Sequence, residues 1–306
     1  MMKAKLYLLL LPLSLIVLFT QCEKIHPDDP IDIPDQTFLT ALIEEGVDTN
    51  GDGLISFEEA EVITYLDVSD KGISDLSGIE SFVNLDTLYC YSNQLTYVDI
   101  SNNTSLLFLN CFSNQLTYLD ISNNTSLENL DCGHNQLANL VVSNNTALEF
   151  FWCGSNRLNY LDISHNTALK WFWCDYNRLT NLDISYNAAL ISLNCGYNQL
   201  TNLDISNNTS LRVLTCQSNQ LANLDVSNSN ALTVLWCSSN QLTFLDISKN
   251  SNLGVGVADP GYFVLDIGLM PRLQKVCVWT MPFPPEGLNI YKGGSPNVYF
   301  TTECSE

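Results

Sequence analysis

Residues 85–126 read LDTLYCYSNQLTYVDISNNTS and then LLFLNCFSNQLTYLDISNNTS, the second stretch restating the first at a spacing of 21. Cysteines at 90, 111, 132, 153, 174, 195, 216 and 237 carry that period through eight units, which start at Leu85, Leu106, Leu127, Leu148, Leu169, Leu190, Leu211 and Leu232. A fixed period of this size marks a solenoid, in which each unit is one turn. Positions one, four, six, eleven, fourteen and sixteen of the unit are apolar and must face inward. Positions four and six flank one outward residue, the alternation of a short strand, and fourteen and sixteen repeat it on the opposite side. Twenty-one residues leave little room for a helix, so parallel strands are expected on both walls. One unit cannot offset its own ordering entropy, and stability has to come from stacking and from caps at both ends.

The ninth position is asparagine in all eight units, Asn93 through Asn240. Its amide suits backbone groups turned inward at a bend. Ser101, Ser122 and their equivalents through Ser248 are expected to serve the other bend. Position fifteen holds an acid ladder of Asp99, Asp120, Asp162, Asp183, Asp204, Asp225 and Asp246, broken by Val141. Stacked like charges repel, so hydrogen bonds from nearby Ser and Thr or turn amides, or a row of bound cations, must compensate.

The pattern over 85–252 resembles bacterial leucine-rich repeats, in particular the 21-residue class called IRREKO with cysteine at the sixth place. A related irregular unit precedes it at 63–84, and a degenerate one follows within 253–306. The resemblance implies a mainly β, right-handed solenoid whose first strand lines a concave, ligand-facing wall. The outward residues of that wall are then the binding candidates: Phe150, Trp152, Trp171, Trp173, Tyr176, Tyr197 and Trp236, with Tyr89, Tyr91, Phe108 and Phe112 on earlier turns. Rings ringed by Ser, Asn and Gln suit a sugar or a protein hot spot, although aromatics also favour strands for packing alone. Lys170, Arg157 and Arg178 lie near enough in register to stack on those rings or to meet an acidic group.

The cysteine ladder offers no local metal-ligand spacing, and stacked strands hold neighbouring Cβ atoms too far apart for unstrained bridges. Its members read as small buried hydrophobes. Two further cysteines, Cys277 and Cys304, suggest a disulfide in the C-terminal cap. Cys277 stands between Val276 and Val278 and is expected to face outward if the valines face in.

Before the repeats, residues 48–59 read DTNGDGLISFEE. This is the spacing of an EF-hand calcium loop: Asp48, Asn50 and Asp52 supply oxygens at alternate positions, Gly53 the sharp turn, Leu54 a carbonyl, Ser56 a direct or water-mediated contact, and Glu59 the closing carboxylate. Phe38, Leu39, Leu42 and Ile43 before the loop, and Phe57, Ala60 and Ile63 after it, fall at helical spacing. A small α-helical cap over 37–62 that takes Ca²⁺ as a structural staple is therefore expected.

At the amino terminus, Lys3 and Lys5 precede an apolar run from Leu6 to Phe19, too short for a comfortable membrane span. A basic start with such a run reads as an export signal, and Cys22 directly after it resembles the lipobox of bacterial lipoproteins. Residues 1–22 are thus expected to be a lipoprotein leader with Cys22 lipidated, plain secretion being the alternative. The acidic, proline-bearing stretch 23–36 reads as an extended linker. The resulting localisation is an outer-membrane or cell-surface lipoprotein, touching membrane only through its lipid.

The chain of 306 residues carries 12 Lys and Arg against 33 Asp and Glu, a formal net charge of −21. That balance opposes nucleic acid and anionic lipid and suits cations or basic partners. Only three histidines are present, and no phosphate loop, zinc motif or nucleophile elbow appears. The sequence therefore reads as a non-catalytic surface module that binds a protein or glycan, with a structural or adhesive role through self-association as the alternative.

Overall fold

The computed structural model describes residues 26–257 and 263–304. The expected leader and the expected lipidation at Cys22 lie outside the described residues. Eleven short parallel strands stack into one sheet: β1 (Tyr65–Asp67), β2 (Thr87–Tyr89), β3 (Phe108–Asn110), β4 (Asn129–Asp131), β5 (Phe150–Trp152), β6 (Trp171–Trp173), β7 (Ser192–Asn194), β8 (Val213–Thr215), β9 (Val234–Trp236), β11 (Leu265–Asp266) and β13 (Ile290–Tyr291). The register never slips across the repeats, so Leu88, Leu109, Leu130, Phe151, Phe172, Leu193, Leu214 and Leu235 form one buried file. Each such residue is the middle of a three-residue strand whose two neighbours face out, as period-two alternation requires.

Strands on the second wall are confined to its C-terminal end, where β10 (Phe244–Asp246), β12 (Lys275–Cys277) and β14 (Tyr299–Thr301) pair in parallel. Elsewhere the inter-turn backbone bonds on this side lie at the asparagine bend before that wall, such as Gln115 N–H to Leu95 O at 2.9 Å. At the same bend the amide that follows is taken by an asparagine of the next turn: Leu116 N–H donates to Asn135 Oδ1 at 3.0 Å.

The position-nine asparagines bridge turns as expected. Asn114 Nδ2 donates to Cys90 O of the previous turn and Cys111 O of its own, at 3.0 and 3.1 Å. The opposite bend differs from expectation: the asparagine two residues after the serine does the bridging. Asn124 Nδ2 donates to Ile100 O and Asn103 O at 3.0 and 2.9 Å, and Asn145, Asn166, Asn187 and Asn208 repeat this, all fully buried. The serine contributes its backbone amide to the aspartate two residues earlier, as in Ser101 N–H to Asp99 Oδ1 at 3.0 Å.

At the N-terminal end, α1 (Gln36–Glu44) and α2 (Phe57–Glu61) flank the calcium-type loop. Phe38, Ala41 and Leu42 join the same core that runs through the solenoid. The stretch expected as a free linker is folded over its second half. Ile31 and Ile33 are buried, Ile31 N–H donates to Ile55 O at 2.7 Å, and Asp35 caps α1. Two isoleucines on one side of an extended segment outweigh its acids and prolines. At the other end residues 263–304 add two further irregular turns, closed by a Cys277–Cys304 disulfide with 5.5 Å between Cα atoms. Val276 and Val278 join the core and Cys277 faces away from it as expected, in register with Asp246, but it is fully buried because its disulfide partner Cys304 covers that side. All eight ladder cysteines are free and fully buried.

Candidate functional site on the first wall

The outward residues of β2 to β6 build a depression of about 350 Å³. Register explains its shape. Phe108, Asn129 and Phe150 occupy one file on successive turns, and Asn110, Asp131 and Trp152 occupy the next. The third repeat thus places short polar side chains between rings on either side. Tyr89 and Phe108 wall the depression toward the N-terminus, and Phe150, Trp152 and Trp173 toward the C-terminus. The C-terminal wall is one cluster: Trp152 and Trp173 meet edge-on at 5.5 Å, and Phe150 and Trp173 at 5.4 Å. Phe112 extends it behind Trp152 at 5.0 Å. Gly154 makes this possible, since a Cβ there would lie 2.6 Å from Trp152 Nε1.

The floor carries Asp131, which the sequence reading passed over. Burial pushes its carboxyl from 3.8 up to about 6, against one hydrogen bond from Gly133 N–H at 3.1 Å. Nearby Asp175 is also raised by burial, and His134 partly opposes this. No salt bridge to Asp131 occurs among the described residues. Of the basic residues, Lys170 meets an acid, pairing with Glu149 at 2.7 Å, and Arg157 donates to Gln136 Oε1 at 2.9 Å; neither makes one of the described cation–ring contacts.

The remaining aromatic candidates divide. Trp171 is exposed on β6 beside the cluster. Tyr176 and Tyr197 form a separate stacked pair, 4.1 Å apart and 7° from parallel, at residues whose φ is 52° and 53°. Trp236 lies well away from the depression, and its indole donates to Phe263 O at 2.6 Å.

On the second wall each aspartate of the acid ladder is held by the serine two residues on. Those bonds keep Asp99, Asp120, Asp162, Asp183, Asp204 and Asp225 below the usual carboxylate range. Burial pushes the thiols of Cys90 and Cys195 up to about 12 and raises the other ladder thiols likewise, which makes them inert at neutral pH.

In the calcium-type loop, Asp48 accepts from Gly51 and Gly53 N–H at 2.7 and 3.0 Å, Asn50 from Asp52 N–H, and Asp52 from Leu54 N–H. Gly51 and Gly53 supply the left-handed turns at φ 76° and 81°. Ser56 caps α2, reciprocated by Glu59. Glu59 opposes its own burial with amide and hydroxyl donors from Ser56 and Thr49, which hold its carboxyl down at about 2. The donor types and turns fit a hard cation, with Glu59 turned onto the loop's own amides. Among the described residues the one trio of metal-capable side chains within 4.8 Å of one another is Asp246, Cys277 and Cys304, whose sulfurs form the disulfide.

The parallel strand per turn, the inward leucines and the asparagine bridges define a leucine-rich repeat solenoid. Neither a protein-family model nor a curated protein sequence matches the chain. Among solved structures, it is similar to the functional domain of InlJ from Listeria monocytogenes, which includes a cysteine ladder, at 30% identity and a TM-score of 0.77. That match covers 90% of this chain and 64% of the Listeria chain, so this chain spans less than two thirds of its relative. Internalin C2 of the same organism shares the fold at 18% identity and a TM-score of 0.63, over 67% of this chain and 94% of its own. A leucine-rich repeat protein of Leptospira interrogans does so at 23% identity and a TM-score of 0.51, over 74% and 64%.

Proposed function

We propose that the protein is a non-catalytic binding module, displayed at the cell surface, that holds a protein partner on the first wall of its solenoid. The observation that carries this reading is the ring-walled depression over the first to fifth repeats. Large rings gathered round a desolvated polar floor are the composition of an interface hot spot. A glycan is the second reading, favoured by the amides of Asn110 and Asn129, which suit sugar hydroxyls beside stacking rings. Display at the surface rests on the leader and Cys22, with a lipid end that tethers the folded part.

Calcium belongs to the same proposal. Ca²⁺ bound by Asp48, Asn50, Asp52, Leu54, Ser56 and Glu59 would supply a fixed positive charge to the N-terminal cap and hold the loop against the solenoid. Its role is structural, because a single hand outside the cell meets nearly constant calcium.

The test is tryptophan emission of the mature protein in calcium, titrated with candidate surface proteins and a polysaccharide panel, beside the Trp152→Ala/Trp173→Ala variant. A saturable shift lost in the variant is expected. No shift with any ligand, together with concentration-dependent self-association in sedimentation, would replace this reading with the adhesive one.

A further inference from the structure

We infer that the depression at the third repeat takes the cationic side chain, arginine or lysine, of a protein partner. This rests on the first wall being the binding face. The walls, the floor and the charge of the chain each bear on it. Phe108 and Phe150 share a file two turns apart, with Asn129 between them. At about 4.8 Å per turn their backbones stand about 9.6 Å apart. After the thickness of the rings is taken off, the gap accepts one flat or rod-like group and excludes a bulky one. A guanidinium plane or an ammonium on its alkyl stem meets ring faces favourably in such a gap.

The floor separates a cation from a neutral ligand. Asp131 is half-buried among rings, with one amide donor and no salt bridge within the described structure. Its carboxyl titrates at about 6 because burial penalises the charged form. A neutral ligand seated above it would strip away more water and deepen that penalty. A cation would offset it and form a charge-assisted hydrogen bond. The described cation–ring contacts, Lys275 over Phe244 and Lys292 over Phe300, both lie toward the C-terminal end, away from the depression. A formal net charge of −21 steers basic partners toward this surface.

The experiment titrates the mature protein with N-acetyl-arginine methylamide and with its neutral counterpart N-acetyl-citrulline methylamide, reading tryptophan emission at pH 7.5. Wild type is expected to prefer the arginine probe by at least about tenfold. Asp131→Asn keeps the acceptor for Gly133 and is expected to reduce the preference to within about twofold. Circular dichroism checks that the variant is folded. Equal response to the two probes, or a preference that survives Asp131→Asn, overturns the inference while leaving the first wall as a binding face for other ligands. Silence toward both probes also overturns it. The wider reading then stands or falls separately on the Trp152→Ala/Trp173→Ala titration with macromolecular ligands.

Discussion

Asp131→Asn should make the protein more stable, although it removes a charge from a soluble surface. The carboxyl is desolvated between rings, and its pKa rises from 3.8 to about 6. At about 1.4 kcal/mol per pH unit, the ionised form costs the fold about 3 kcal/mol. The sign follows from proton counting. Between 3.8 and about 6 the folded state binds more protons than the unfolded state, so stability falls as pH rises through that window. The cost is complete above the folded pKa, near pH 8, and about half as large at pH 5. Asparagine keeps an oxygen for Gly133 N–H and carries no charge, so it escapes the penalty. Urea denaturation followed by circular dichroism, at pH 8 and pH 5, reads both numbers. The variant should gain about 3 kcal/mol at pH 8 and about half that at pH 5. A variant no more stable than wild type at pH 8, or a gain that does not shrink toward pH 5, refutes the account of Asp131 as a desolvated, uncompensated carboxylate.

Asn145→Ala strips the donors from Ile121 O and Asn124 O inside the core and should cost about 2–4 kcal/mol, measured by the same denaturation. Gly154→Ala drives a methyl against Trp152 Nε1 and should shift tryptophan emission and weaken any ligand of the depression, with little change in far-ultraviolet dichroism. The eight ladder thiols should react with a thiol reagent only at the rate of unfolding, and fast labelling of the native protein would contradict their burial. Glu59→Gln should remove the calcium dependence of thermal stability, and a wild-type melting temperature unmoved by EDTA would discard calcium as a staple of the cap.

The solenoid was readable because one physical signal, six inward apolar positions at a strict period, recurs eight times. The second asparagine ladder was present in the same period and was passed over, since serine at the neighbouring position looked like the more familiar turn residue. Asp131 was missed for a different reason. Alone it is one acid among many in an acidic chain, and it gains meaning only where register sets it between Asn110 and Trp152 and beneath rings from adjacent turns. The fold of residues 27–36 depends on Ile31 and Ile33 finding a groove beside Gly78, which local composition cannot reveal. The burial of Cys277 depends on Cys304, 27 residues further on, lying over it, which the local alternation of Val276 and Val278 cannot reveal.

The unbroken register has a genetic consequence. Each turn touches only its neighbours, and the units from the first to the eighth offer nearly the same inward side chains to the next, with Phe151 and Phe172 replacing leucine and Ser229 replacing an asparagine. An unequal crossover between two units therefore deletes or duplicates a whole turn and returns the chain in phase. Beyond the sixth unit such events change the length of the protein and leave its ring-walled depression intact. Within the first five units they erase it, because that surface depends on which turns are adjacent. Copying of the later turns can thus lengthen the solenoid without touching that surface, whereas copying among the earlier turns remakes it.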